Sequence, residues 1–329
     1  MKRWFLWILK LSIAFGILYY LFTKISFSEV ITSIVSAKIS YVLIGLLMVF
    51  FARYLAAYRM KLLTDKQGMS LSLFQVFEIS FITSFYGLFL PGYLTGGAIR
   101  LYKLSRPDNK WTEALASMVF DRLIDSIVLV MLGILFWVLD TKSNSNYIIG
   151  LSFSATLSGL LITYFLVFNG KVSYFLQKYK GKINFSFIPG VLQSRFSKLL
   201  FSTSQYHSLS RSLLIYILVL SLFRYLLGIL SFYMFALSLG INLSFISVGW
   251  IGSLSLIIGM LPISFSGLGV REGTLVFLLQ PYGITASDAV ALSFLLFART
   301  LLVGGVGGLF EAKNLFVPRR SKSEVVEKF

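Results

Sequence analysis

Long apolar stretches separated by short polar ones run the length of this chain, at about 4–23, 39–58, 74–99, 114–139, 146–169, 213–239, 246–281 and 286–311. A helix needs about 20 apolar residues to cross the hydrocarbon core of a bilayer. The longest run without Asp, Glu, Lys or Arg, Tyr225 to Val270, has 46 residues. So much apolar surface cannot be hidden in water. The bilayer must be its solvent, and there each helix satisfies its own backbone groups. The pattern predicts an all-α integral membrane protein.

Two stretches are broken in the middle. The first reads LFLPGYLTGGAIR (Leu88–Arg100) and carries Pro91, Gly92, Gly96 and Gly97; the second reads GMLPISFSGLGVR (Gly259–Arg271) and carries Pro262, Gly267 and Gly269. Proline removes a helical hydrogen bond and glycine loosens the backbone. Irregular backbone at membrane depth survives only inside protein or beside a wet cavity. Both stretches are therefore expected to dip in and return on the same side. Segments 1–10, 59–73, 94–112, 169–212 and 312–329 then share one face and hold 22 of the 30 Lys and Arg. The opposite face holds four: Lys24, Lys38, Lys142 and Arg271. By the positive-inside rule the basic face is cytoplasmic. The expectation is about six full spans, two re-entrant broken helices and both termini inside. Eight full spans, with two merely kinked helices, would put the basic segment 169–212 outside.

The broken segments align without a gap at an offset of 171 residues. Leu90-Pro91 falls on Leu261-Pro262, Thr95-Gly96 on Ser266-Gly267, and Ile99-Arg100 on Val270-Arg271. The same offset carries Arg53-Tyr54-Leu55 onto Arg224-Tyr225-Leu226, and with six further residues Phe120 and Arg122 fall on Phe297 and Arg299. This suggests an inverted 3+3-type repeat, with repeat A at about 39–139 and repeat B at about 213–311. The single span between them, about 146–169, would invert the second half. Inverted repeats with discontinuous helices are found in many secondary transporters, whose substrate site lies near the midplane. Residues 1–311 then form one membrane domain and 312–329 a basic tail.

Composition sharpens this picture without changing it. Of the 329 residues 57% are hydrophobic and 13% charged, where soluble domains carry roughly 25% charged residues. The net charge of +17 first suggests topology and an anionic membrane surface, ahead of nucleic acid. With no Cys and only His207, disulfides, thiol nucleophiles and Cys/His metal sites are excluded. No cofactor or metal is expected. Met1-Lys2-Arg3 before an apolar run resembles a signal peptide without an A-x-A cleavage site, and reads as an uncleaved anchor. The G-x-G of GLGVREG lies in an apolar stretch, the wrong context for a dinucleotide loop. Gly304 and Gly308 suit helix packing.

Charged residues sit inside or at the ends of the apolar stretches: Arg53, Glu78, Asp121, Arg122, Asp125, Arg224, Asp288 and Arg299. Such residues cost several kcal/mol each unless they pair or line a pathway. Structural ion pairing is one reading. An anion site is the other, since arginine stays charged and its planar fork binds oxyanions in a bidentate manner. The expected substrate-binding set is Arg53, Arg100, Arg122, Arg224, Arg271, Glu272 and Arg299, supported by Glu78, Asp121 and Asp125.

FLPGYLTGGAIR, the cluster Asp121-Arg122-Leu123-Ile124-Asp125 and PISFSGLGVREG (Pro262–Gly273) together resemble the lysylphosphatidylglycerol synthase transmembrane (flippase-like) family. Many members carry Glu-Arg where this chain has Asp121-Arg122. The resemblance covers about 4–311 and implies a flippase module for anionic or aminoacylated phospholipid, or for polyprenyl-linked lipid, in the plasma or inner membrane. The family's aminoacyl-transfer domain would not fit the longest polar stretch here, 169–212. The implied partners are anionic lipid headgroups, with no nucleic acid; a homo-oligomer stays open. An intramembrane lipid-modifying enzyme and a scaffold for a separate synthase are the rival readings.

Because the chain has no Cys, single cysteines report topology cleanly. At positions 105 and 180 they should resist an impermeant thiol reagent in intact cells; labelling at either would overturn the expected orientation.

Overall fold

The computed structural model describes residues 27–89, 93–142, 147–168, 206, 209–260 and 269–316. The expected first span at 4–23, most of the basic segment 169–212, the motif residues Pro91, Gly92, Pro262 and Gly267, and the tail from 317 lie outside them. Ten α-helices occupy the described residues: α1 (Phe27–Val35), α2 (Ile39–Lys66), α3 (Leu73–Phe89), α4 (Tyr93–Ser105), α5 (Trp111–Leu139), α6 (Tyr147–Phe168), α7 (Arg211–Ser238), α8 (Phe245–Met260), α9 (Val270–Leu279) and α10 (Ala286–Phe316). No strand occurs among the described residues. Five helices, α2, α5, α6, α7 and α10, are long and apolar enough to cross a membrane. The chain is a multi-pass all-α membrane protein.

Helix α3 is described as far as Phe89 and α4 from Tyr93; α8 as far as Met260 and α9 from Val270. The expected breaks at 90–92 and 261–268 lie outside the described residues. Helix α2 runs on to Lys66, beyond the apolar stretch that ends near 58. Its last turns are polar and held by the Lys61–Asp65 pair. Gly68, at φ 68°, ends it in the left-handed conformation that glycine adopts freely.

Helices α2 and α7, 28 residues each, lie antiparallel along most of their length. At one end the Lys38 amide donates to the Ser238 carbonyl at 2.9 Å. Further in, Ser231 Oγ donates to the Gly45 carbonyl at 2.8 Å. At the far end the rings of Tyr58 and Tyr216 meet at 6.3 Å. Arg53 and Arg224 therefore fall opposite each other near the middle of the pair. The other helices interleave. Helix α3 packs on α10, while α8 packs on α5. A large core joins α5, α7, α8, α9 and α10 through Leu129, Phe232, Trp250, Leu275 and Leu292. Outside, Leu43, Leu47 and Phe51 on α2 and Ile162 and Phe165 on α6 are exposed, as lipid-facing positions should be.

Close packing of α3 on α10 depends on glycine. A Cβ at Gly307 would lie 2.0 Å from the Phe81 carbonyl oxygen, and one at Gly304 would lie 2.2 Å from Leu88 Cδ1. The backbones approach closely because the side chain is missing, as in small-residue contacts between membrane helices. Helix α5 meets α8 in a similar way: a Cβ at Gly249 would lie 2.5 Å from the Phe136 ring. At the end of α5, Asp140 accepts hydrogen bonds from Tyr282 Oη at 2.6 Å and Trp250 Nε1 at 2.9 Å, fastening the α9–α10 connection to α8. Burial alone would raise the Asp140 carboxyl. Its hydrogen bonds outweigh that and hold it below the ordinary carboxylate value.

Ser105 is fully buried and Arg106 beside it is exposed, so Arg106 is the better position for the cysteine topology test. Gly307→Ala should destabilise the protein by about 1–3 kcal/mol, the usual range for overpacking. Gly305→Ala, with open space around its Cβ position, should not. Thermal unfolding in detergent compares the two; equal melting temperatures would contradict the packing described.

Candidate functional site

Asp121 and Asp125 are four residues apart on α5, so both leave the same helix face. That face meets α2 and α7. Arg59 of α2 closes on both carboxylates. Its Nε and Nη2 each reach Asp121 Oδ1 at 2.8 Å, and its Nη1 reaches Asp125 Oδ1 at 2.5 Å. The same Nη1 donates to Ser221 Oγ of α7 at 2.6 Å. From α7, Arg224 Nε donates to Asp125 Oδ1 at 3.2 Å, and Arg224 Nη2 pairs closely with Asp125 Oδ2. From α4, Arg100 Nη2 stands 3.7 Å from Asp121 Oδ2. Arg59 is 2% exposed, whereas the side chains of Arg100 and Arg224 are 27% and 23% exposed. Arg59 is thus the sealed anchor of the cluster, while the other two keep an open side.

A second cluster stands at the start of α9. Gly269, at φ 79°, is the N-cap, and its amide donates to Glu272 Oε2 at 2.7 Å, the one half of a capping box that a glycine can make. Glu272 Oε1 accepts from Arg271 Nη2 at 2.6 Å and from Ser293 Oγ of α10 at 2.8 Å. Arg271 Nε donates to the same Ser293 Oγ at 2.7 Å. Glu272 is fully buried. The positive end of α9 thus already holds a carboxylate from its own first turn.

Arg53 and Arg299 lie on α2 and α10. Arg53 sits 5.1 Å over the Phe81 ring, with Nη1 3.4 Å from the Ser80 carbonyl. Arg299 sits 6.0 Å over the Phe235 ring.

Part of the set expected from the sequence comes together: Arg100, Arg224, Asp121 and Asp125 share one cluster, and Arg271 and Glu272 form the second. Arg53 and Arg299 stand apart from both, each over an aromatic ring. Arg122 does not share the face of Asp121 and Asp125 and lies on an exposed side of α5. Glu78 is buried within α3. Gly96 packs at ordinary distance on the Thr83 carbonyl, and Gly97 faces open space. Gly304 and Gly308 serve helix packing. Arg59 was missed, because it stands just beyond an apolar stretch and reads as a loop cation. Its one signal was a helical period carrying the α2 face past residue 58. Glu311 also gave no signal: it accepts from Lys103 Nζ at 2.6 Å and Tyr86 Oη at 2.8 Å, tying α10 to α4 and α3. Among the described residues no group of three or more His, Asp or Glu could hold a metal ion.

These features define a polytopic membrane protein with a buried cluster of charged side chains at the junction of α2, α5 and α7. The chain belongs to the lysylphosphatidylglycerol synthase transmembrane family: the family model described as "Lysylphosphatidylglycerol synthase TM region" matches residues 7–308. No curated protein matches the chain.

Removing Arg59 would leave two buried carboxylates short of a partner, which typically costs about 3–5 kcal/mol. Arg59→Met should therefore lower the melting temperature in detergent sharply, and Arg59→Met with Asp121→Asn should recover part of the loss. An Arg59→Met protein as stable as the parent would contradict the anchor role.

Proposed function

We propose that this chain is a lipid translocator that carries an anionic phospholipid headgroup between leaflets. The observation that supports this best is the arginine cluster at Asp121 and Asp125, in which the side chains of Arg100 and Arg224 stay 27% and 23% exposed beside the sealed Arg59. Partly open guanidinium groups suit an anionic ligand, and their forks match the two free oxygens of a phosphodiester. Family membership favours the same reading.

The inverted repeat belongs to this proposal. It is supported by the antiparallel pairing of α2 with α7, in which the residues equated by the alignment, Arg53 and Arg224, face each other. It is supported too by reciprocal packing. Exchanging the halves turns the α3–α10 contact into the α8–α5 contact. On this reading the breaks at 90–92 and 261–268 are re-entrant turns, and the halves rock to expose the arginines to one leaflet and then the other. The basic face is cytoplasmic, in the cell membrane.

The test is exchange of a fluorescent phosphatidylglycerol in liposomes containing the purified protein. Exchange above protein-free liposomes, with no new lipid product, is expected. Arg271→Lys keeps the charge but loses the fork, and should slow exchange about tenfold, equivalent to ~1.4 kcal/mol. A folded double variant, Arg100→Ala with Arg271→Ala, that exchanges lipid at the parent rate would end the proposal. A new lipid product would favour an enzyme instead, and neither result would favour a scaffold.

A further inference from the structure

A cavity of about 300 Å³ lies at the end of α5, roughly 22 Å along that helix from Asp125. Its walls include Asp140 and Lys142 after α5, Asn242, Ser244 and Ser247 around the start of α8, and Tyr282 of the α9–α10 connection. Asp140 is already fully engaged. Its Oδ2 accepts from Tyr282 Oη at 2.6 Å and Trp250 Nε1 at 2.9 Å, its Oδ1 accepts from the Lys142 amide at 3.2 Å, and the Ser247 hydroxyl donates a fourth bond. The Ser244 and Ser247 hydroxyls are joined at 2.8 Å, and Ser244 Oγ also accepts from the Ser247 amide at 2.9 Å. These groups satisfy one another and build the wall. The donors left to a ligand include the Lys142 ammonium and the Asn242 amide, both on exposed residues. Lys142 Nζ stands 5.9 Å over the Tyr282 ring, which its own hydroxyl fastens to Asp140. No carboxylate lies within 4 Å of Lys142 Nζ among the described residues.

We propose that this cavity binds one phosphate-bearing anion, with its phosphate on Lys142 Nζ and a further oxygen on the Asn242 amide. An ammonium brings three donors and a full charge, and a hydrogen bond with an ionised partner is about twice as strong as a neutral one. The face of the Tyr282 ring holds that ammonium at the cavity without neutralising it. The volume is that of a small-ligand pocket, with room for a headgroup-sized phosphate ester. The site goes beyond the translocator reading and does not depend on it: among the described residues no arginine lines this cavity. A lipid and a free phosphate ester present the same chemistry here. Leu139 lines the cavity and is 52% exposed, so a lipid headgroup fits there with its acyl chains in the bilayer.

The test exploits the absence of Cys from the chain. Thr141→Cys in the full chain puts a thiol in the cavity wall, and its rate of labelling by a maleimide in detergent reports occupancy at this place alone. Phosphatidylglycerol in mixed micelles should slow labelling saturably, whereas diacylglycerol, which lacks the phosphate, should not. Adding Lys142→Gln should raise the half-protecting concentration about tenfold, equivalent to ~1.4 kcal/mol. Lys142→Arg keeps the charge and should raise it by less than about threefold. Both variants should melt with the parent, since Lys142 is exposed. Glycerol 3-phosphate and inorganic phosphate identify the source. Protection by the lipid alone assigns a lipid headgroup, and equal protection by the soluble compounds assigns a free phosphate ester; either supports the site. Labelling that no phosphate compound slows, that diacylglycerol slows equally, or whose protection survives Lys142→Gln would overturn it. Arg100→Ala with Arg271→Ala should leave the protection unchanged, and its loss there would overturn the independence of this site from the arginine clusters. No transport is measured, so a parent that exchanges no lipid ends the translocator reading and leaves this result standing.

Discussion

Asp121 and Asp125 leave one face of α5 a single turn apart, and Arg59 of α2 binds both while touching Ser221 of α7. Three helices are thereby held at one buried point. A charge in that position must be matched, and the match has to come from another element of the chain. The register of α2 against α5 and α7 follows from this single contact. Arg224 and Arg100 gather on the outer sides of the same carboxylates, so the partly exposed arginines inherit their position from the buried one.

The rest of the architecture brings the second half to the same place. Glycines at 304 and 307 let α10 press onto α3, and Gly249 lets α8 press onto Phe136 of α5. The halves are interleaved, each supplying a short helix that packs on the last long helix of the other. Glu272 is held by the Gly269 amide and by Ser293 of α10, which fixes the start of α9 against α10.

Much of this was legible in the sequence because the bilayer imposes simple rules. Apolar length marks the long helices, and charges within the apolar stretches mark Asp121, Asp125 and Arg224 of the buried cluster. The places where reading failed share a cause. Arg59 and Glu311 lie near the ends of apolar stretches, where hydropathy cannot separate a solvated charge from one that a longer helix carries inward. Helix α2 runs eight residues past its apolar stretch and takes Arg59 with it. The role of Glu272 depended on Gly269 adopting a positive φ, a backbone property that residue spacing does not report. Arg122, in contrast, was expected inside because it falls on Arg299 in the repeat, although one residue, about 100°, round the helix from Asp121 brings it to an exposed position.

The central claim is that the arginine cluster holds an anionic lipid. The most direct measurement is native mass spectrometry of the protein extracted gently from its own membrane, with the retained lipids released and compared with that membrane's composition. The account expects about one phospholipid of net negative charge per chain, enriched well above its membrane proportion. Retained lipid that merely mirrors the membrane, or that is zwitterionic, would contradict it.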